Sequence, residues 1–256
     1  IQETARNFSQ DVLAPGAKAR ETNRVIEPAV ITQMGELGLL GVTISDKNGG
    51  VGADYTSYAL ALMEVAEGDG AVSTMMSVHN APFCAVLEKF GSKNQRRAWL
   101  LPAAQGAFIG SFALTEAHTG SDAKAIRTRA ERRGNDWVLN GDKQFISSAN
   151  ISGATIVFAV TDPDAARACI SAFYVENTNS GMTVGPPEEK LGQKASDTCA
   201  LRFEDMVVSA DNMIGVEGQG LGIALSSLET GRIGISAQAV GMAQAALSYA
   251  VQYATE

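Results

Sequence analysis

Apolar residues in the first third of the chain recur at helical intervals. Tyr55, Tyr58, Leu62 and Val65 fall three or four apart, as do His79, Phe83, Val86, Leu87 and Phe90, so each set paints one side of a helix. Asp54 is placed to cap the first of these helices. The Gly-rich Asn48 to Asp54 reads as a turn, and Gly68 to Ser73 (GDGAVS) interrupts the helical pattern. From about Gly110 the period becomes that of strands: Phe108 to Leu114, Thr155 to Val160, Ile170 to Val175 and Leu201 to Val208 are β-rich runs bounded by Pro, Gly, Asn or Asp. Asp136 to Leu139 and Lys143 to Ile146 flank Asn140-Gly141, which predicts a hairpin turning at that dipeptide. After the Gly-rich GVEGQGLG, Ile223 to Tyr253 reads as one long, Ala-rich helix without Pro.

The expected architecture is multi-domain α+β. Residues 1–110 form an N-terminal all-α helical domain, 111–213 a middle antiparallel β domain, and 214–256 a linker with the first helix of a C-terminal α domain. A doubly wound parallel sheet is disfavoured, because no helices separate the strands. One long amphipathic helix has no partner for its apolar face unless others follow. The chain is therefore expected to continue past Glu256, or the helix to pack on another subunit.

Composition narrows the function classes. With 256 residues, 45% of them hydrophobic and 19% charged, the chain can bury a full core. A formal net charge of -8 argues against nucleic acid as a partner, since phosphate binding needs clustered Lys and Arg. Lys124 to Arg133 is denser in basic residues but is interrupted by Glu131 and apolar positions, leaving modest value for an anionic ligand. Cys84, Cys169 and Cys199 are widely spaced and suggest neither a disulfide framework nor zinc. No apolar run approaches the length of a membrane span. The start has no basic or hydrophobic leader, yet it is abrupt, so a removed targeting peptide stays open.

Two Gly-bearing stretches are candidates for cofactor chemistry. GVEGQGLG does not satisfy G-x-G-x-x-G and lies in no βαβ unit, so it reads as an interdomain turn. Leu114 to Asp122 (LTEAHTGSD) combines hydroxyls, a carboxylate and Gly where an apolar strand runs out into a loop. Free N–H groups there, with Thr115 and Ser121 as further donors, would accept an anion; the alternative is a polar loop that satisfies its own backbone.

FALTEAHTGSDA resembles the first signature of the acyl-CoA dehydrogenases, in which Leu-Thr-Glu precedes Gly-Ser-Asp. Three further segments match in order: Asn140 to Ser147 (NGDKQFIS), Lys190 to Thr198 (KLGQKASDT) and Gly231 to Leu247 (GRIGISAQAVGMAQAAL). Together they run from Phe112 to Leu247. Ala117 stands where the family usually has Pro, Thr119 where Ala or Gly is usual, and Phe145 where Trp is common.

The resemblance implies that FAD is the cofactor, with its pyrimidine side facing the backbone around Phe112, Leu114 and Thr115. It implies that Phe145 stacks on the flavin, Ile146 lies beside it, and Ser147 offers a hydroxyl near the hydride-accepting nitrogen. Ser121, Glu229 and Arg232 would contact the CoA part of the substrate; without the resemblance, Glu229 and Arg232 would read as a surface ion pair. The implied reaction is α,β-dehydrogenation of a short or branched-short acyl-CoA, with electrons passed to an electron-transferring flavoprotein. SVHN (Ser77 to Asn80) and GRIGISAQ carry the chain-length expectation.

A four-helix-bundle C-terminal domain, a homo-oligomer (tetramer or dimer), and a cytoplasmic (bacterial) or mitochondrial-matrix (eukaryotic) location belong to the same resemblance. So does a Glu base. A minority of the family carries that Glu where Gly231 stands here, so it is expected beyond Glu256. Glu116 reads as structural, His79 and His118 have no second ligand at metal spacing, and the methionines read as core fillers. An acyl-CoA oxidase of the same fold and a non-catalytic acyl-CoA-binding protein are the alternatives.

Overall fold

The computed structural model describes residues 1–165 and 169–256. Among the described residues, helices fill the first part of the chain, eight strands the middle, and one long helix, Gly220–Thr255, the end. Asp54 caps the helix Tyr55–Gly68 as expected, its Oδ1 accepting from Ser57 N at 2.7 Å. The interruption read at Gly68 to Ser73 narrows to Asp69 alone. Its extended backbone (φ -157°) ends one helix, and its side chain starts the next, Gly70–Val78, by accepting from Ala71 N and Val72 N. Asp69 also takes Arg20 Nε at 2.6 Å, both side chains being buried, which ties the N-terminal helices to this corner.

The helical run continues through Pro82, which lies in a wide turn, His79–Cys84. Proline has no N–H for the regular ladder, and a widened turn accommodates it.

The strands are β1 (Ile109–Ala113), β2 (Arg129–Arg133), β3 (Asp136–Ser147), β4 (Ser152–Val160), β5 (Ile170–Glu176), β6 (Met182–Pro187), β7 (Thr198–Ser209) and β8 (Met213–Ile214). They form one sheet in the order β6-β7-β3-β2-β4-β5-β8, with β1 paired to β4 off that path. Pairing is mainly antiparallel; β1 runs parallel to β4, and β2 touches β4 in parallel at Arg129↔Val160.

The hairpin does not turn at Asn140-Gly141. β3 runs straight through that dipeptide, and the reversal lies at Gly134-Asn135, between Arg133 and its partner Asp136, with Gly134 at φ 64°. The reason is on the opposite strand. Asn140 exchanges hydrogen bonds with Asp205 of β7, accepting from its N at 2.8 Å and donating to its Oδ1 at 3.2 Å, so the dipeptide forms a register shift inside the ladder. Gly141 sits at φ 143°, and a Cβ there would meet Thr128 at 2.8 Å. β2, written Arg-Ala-Glu-Arg-Arg, carries too little apolar pattern to advertise itself as the hairpin's first strand.

The long helix also departs from expectation, because its first half has a partner within the chain. Ile223, Ala224, Ser227, Gly234, Ala237, Gln238 and Gly241 are buried, and contacts with Tyr55–Gly68 dominate the helix's packing. Glycine allows the close approach: a Cβ at Gly241 would lie 2.3 Å from Met63 O. Gln238 Nε2 fastens the crossing by donating to Gly70 O, Ser73 Oγ and Thr74 Oγ1. Beyond Gly241 the helix exposes Leu247, Tyr249, Val251 and Tyr253.

His79 joins the helices to the sheet. Its ring is fully buried, with Nε2 3.0 Å from Ala103 O and Nδ1 accepting from Gly110 N at 3.0 Å, which makes it the neutral tautomer protonated at Nε2. Burial pushes its pKa from 6.5 down to about 4, against the weaker opposing pull of the Ala103 carbonyl. The unfolded chain therefore binds the extra proton first. Stability from this residue is complete above pH 6.5 and is lost as pH falls towards about 4, a loss of about 3 kcal/mol. Urea midpoints measured across that window are expected to fall in the natural protein. A His79→Gln variant, which keeps a donor but cannot titrate, should lack this component.

Candidate functional site

β1 ends at Ala113, and the next residues form one end of the site. Leu114 O accepts from Lys143 Nζ at 3.1 Å, and Thr115 O accepts from Gln144 N at 2.9 Å. The two amides are different. Among the described residues, neither Leu114 N nor Thr115 N donates a hydrogen bond, although Leu114 is buried and Thr115 half-buried. Backbone N–H groups in folded chains are normally paired, so a strand end with two undonated amides can receive an acceptor.

β3 supplies the second part. Its register against β7 shifts between Lys143 and Ile146, and within that bulge Phe145 adopts a left-handed backbone, φ 59°. This conformation costs a non-glycine residue about 1–2 kcal/mol. The bulge turns Phe145 outward, 60% exposed, while Lys143 and Ile146 on either side point into the interior. Ser147 follows, half-buried.

A cleft of about 450 Å³ opens between these strands and the helices. Phe112, Phe145 and Ser147 line it from the sheet; Ser77, Val78 and Pro82 from the N-terminal helices; Leu228, Gly231, Arg232 and Ile235 from the long helix. Phe112 is seated by Phe158, their ring centroids 4.8 Å apart. A Cβ at Gly231 would meet nothing within 4 Å, so the cleft is open beside it. Among the described residues, no carboxylate lines the cleft.

Glu116 lies next to the strand end but is spoken for. Its Oε1 accepts from Lys143 Nζ (2.8 Å), Thr128 N (2.9 Å) and Thr128 Oγ1 (2.6 Å), and its Oε2 from Arg127 N (2.6 Å). Burial pushes its pKa up, but Lys143 and Thr128 outweigh burial and hold it below the ordinary carboxylate value. Four donors on an ionised carboxylate make Glu116 an anchor for the loop, as the sequence reading expected of it.

The structure thus brings Phe112, Phe145, Ser147 and Arg232 to one cleft; Leu114 and Thr115 follow Phe112 in the chain but are not among its lining residues. The side chains of Leu114 and Ile146 belong to separate hydrophobic clusters, leaving their backbones as what they can offer. Ser121 is exposed in the loop, does not line the cleft, and makes no hydrogen bond among the described residues. Glu229 and Arg232 are both exposed; they form no ion pair, and Glu229 faces a separate depression beside Lys89 and Tyr55. Val78, Pro82, Leu228 and Ile235 were not singled out by sequence reasoning as cleft residues. Val78 and Ile235 lie in SVHN and GRIGISAQ, the segments that carried the chain-length expectation, whereas the apolar character of Pro82 and Leu228 marks core and lining alike and left no signal to find them.

Metal chemistry has no assembled site here. Among the described residues, no three His, Cys, Asp or Glu are grouped to hold an ion, and His118 Nε2 is engaged 2.9 Å from Ala125 O. Among the described residues, no helix is long and apolar enough to cross a membrane.

Residues 1–107 match the family model of the acyl-CoA dehydrogenase N-terminal domain, and residues 111–206 that of its middle domain. The chain is 41% identical over 254 residues to the mitochondrial short-chain specific acyl-CoA dehydrogenase of Rattus norvegicus, covering 99% of this chain and 62% of that protein. It therefore spans less than two thirds of that relative's length. Butyryl-CoA dehydrogenase from Megasphaera elsdenii superposes with a TM-score of 0.95 at 36% identity, over 98% of this chain and 67% of that one. A glutaryl-CoA dehydrogenase from Mycobacterium smegmatis, solved in complex with FADH2, superposes with a TM-score of 0.91 at 32% identity, over 98% and 64%.

Proposed function

The chain belongs to the acyl-CoA dehydrogenase family, and we propose that the protein performs FAD-dependent α,β-dehydrogenation of a short or branched-short acyl-CoA. One observation carries this reading: Phe112 of β1 and an out-turned aromatic at the β3 bulge line one cleft, and the chain leaves β1 just past Phe112 with two undonated amides, Leu114 and Thr115. These features fit a flavin. The Leu114 and Thr115 amides would hold its pyrimidine edge, where negative charge develops on reduction. Phe145 would stack on the ring and Ser147 would offer a hydroxyl, with Phe112 and the Ile146 backbone completing the seat. When bound, FAD accepts the β hydrogen of the acyl chain as hydride.

The chain's own residues do the rest. Ser121, Glu229 and Arg232 would hold the CoA arm, and the apolar wall of Val78, Pro82, Leu228 and Ile235 would exclude water from the acyl end. No carboxylate among the described residues lines the cleft, so none of the lining residues would accept the α proton. A short acyl group agrees with the short-chain and butyryl-CoA dehydrogenases that the rat and Megasphaera proteins are. An electron-transferring flavoprotein as acceptor, a homo-oligomer, and a bacterial cytoplasm or a mitochondrial matrix as the setting belong to the same proposal.

The same lack of a carboxylate favours one second reading, a non-catalytic acyl-CoA-binding protein. Anaerobic incubation of full-length protein with butyryl-CoA and an electron-transferring flavoprotein separates the readings. The dehydrogenase yields enoyl-CoA and reduced acceptor. No product with intact thioester binding would favour the binder, and peroxide formed in air without the acceptor would mark an oxidase.

The role of Phe145 has its own test. Phe145→Asn removes the ring while keeping a residue that tolerates the left-handed backbone, so stability should change by less than about 0.5 kcal/mol. Loss of the aromatic contact, worth about 1 kcal/mol, should weaken flavin binding about fivefold. Equilibrium titration of the apoprotein with FAD measures it.

A further inference from the structure

Lys143 is the least exposed charged group in the molecule's site region, its side chain 0% accessible, yet it lies on the strand that carries Phe145. Its ammonium is bound to two oxygens, Glu116 Oε1 at 2.8 Å and Leu114 O at 3.1 Å. The second contact matters for the site. Leu114 C=O and Thr115 N–H belong to one peptide group, and in a trans peptide they point in opposite directions. The ammonium therefore sits on the far side of the peptide whose N–H is left without a partner. A charge-assisted hydrogen bond to the carbonyl draws electron density away from the nitrogen, making that N–H a stronger donor.

Glu116 explains how the charge is kept there. Burial opposes an ammonium, and Glu116 counters it across 2.8 Å while its own remaining lone pairs are met by Thr128 and Arg127. A connected chain results, running from Glu116 through Lys143 to the Leu114–Thr115 peptide, whose N–H points away from the ammonium.

We propose that Lys143 is a positioning residue that polarises the Thr115 amide, so that the strand end holds an acceptor bearing negative charge more tightly than the same acceptor when neutral. Resting on the flavin reading above, this means that reduced flavin is bound more tightly, relative to oxidised flavin, than an unpolarised peptide would allow.

The test compares the flavin midpoint potential of full-length holoprotein with that of Lys143→Met and Lys143→Arg. Lys143→Met is expected to lower the affinity for reduced relative to oxidised flavin about tenfold, which for a two-electron couple is about 30 mV towards a more negative potential. Lys143→Arg keeps the charge and should restore the ratio to within about twofold of the natural protein. A merely structural lysine would weaken both flavin forms alike and leave the potential unchanged, and that result overturns the proposal; so does Lys143→Arg behaving as Lys143→Met does. If Lys143→Met does not fold, Lys143→Gln removes the charge while keeping a neutral donor, and a shift in the same direction but smaller is expected; the absence of any shift overturns the proposal. A natural protein that takes up no flavin would instead refute the functional reading itself, which keeps the two failures apart.

Discussion

Gly241→Ala is expected to destabilise the protein by about 3 kcal/mol, whereas Gly231→Ala, ten residues earlier on the same helix, should stabilise it by about 0.5–1 kcal/mol. The added atom is the same; the surroundings decide the sign. At Gly241 a Cβ would stand 2.3 Å from Met63 O and 2.9 Å from Met63 Cα, both backbone atoms of the helix Tyr55–Gly68. No rotamer change relieves that contact, so the helices must separate. At Gly231 nothing lies within 4 Å, and the substitution only removes backbone freedom from the unfolded chain. Leu228, Arg232 and Ile235 ride on the same helix, so lifting it at Gly241 should also widen the cleft and weaken flavin uptake. Urea denaturation with an unchanged slope gives both energies. Equal and small effects at the two glycines would contradict the packing described.

Glu116→Ala is expected to cost about 3–5 kcal/mol, because it strands a buried ammonium and leaves the Arg127 and Thr128 amides without their acceptor. Its pH dependence follows from Lys143. Burial pushes that ammonium from 10.5 down to about 8, with Glu116 opposing the fall. Removing Glu116 should move it lower still. Between the lowered folded value and 10.5 the unfolded chain binds more protons, so the variant's stability should rise with pH across that window. The deficit is then greatest near neutral pH, and it shrinks in acid, where the natural protein's own Glu116 becomes protonated. Chemical denaturation across that pH range measures it; a loss under about 1 kcal/mol would sink the view of Glu116 as an anchor.

Much of the fold could be read from the chain because local signals and packing agree. Tyr58, Leu62 and Val65 are buried along one face, Asp54 caps where a cap was expected, and the β4, β5 and β7 runs are strands. Where the reading failed, tertiary contacts had overridden a local preference. Asn140-Gly141 has the composition of a turn, but Asp205 on the facing strand absorbs it as a bulge. The long helix looked unpartnered since the faces of Gly234 and Gly241 carry no side chain, and a hydrophobic pattern cannot register a contact made by glycine.

The site shows the same division. The strand end at Leu114–Thr115 was marked by its sequence, while Lys143 was not, because a lysine in an alternating strand predicts exposure and this one is enclosed. Phe145 could be named from its motif, but its outward turn depends on a bulge set by pairing with β7. The cleft's helical wall is spread over two distant segments, Ser77–Pro82 and Leu228–Ile235, and no local pattern couples them.

The central claim is that the cleft between the β1 end, the β3 bulge and the long helix seats a flavin against an acyl thioester. The visible spectrum of purified full-length protein, titrated anaerobically with butyryl-CoA, tests it most directly. A yellow protein with one flavin per chain, bleached on addition of the thioester, is the predicted result. A colourless protein that binds the CoA thioester and takes up no flavin when FAD is offered would contradict it.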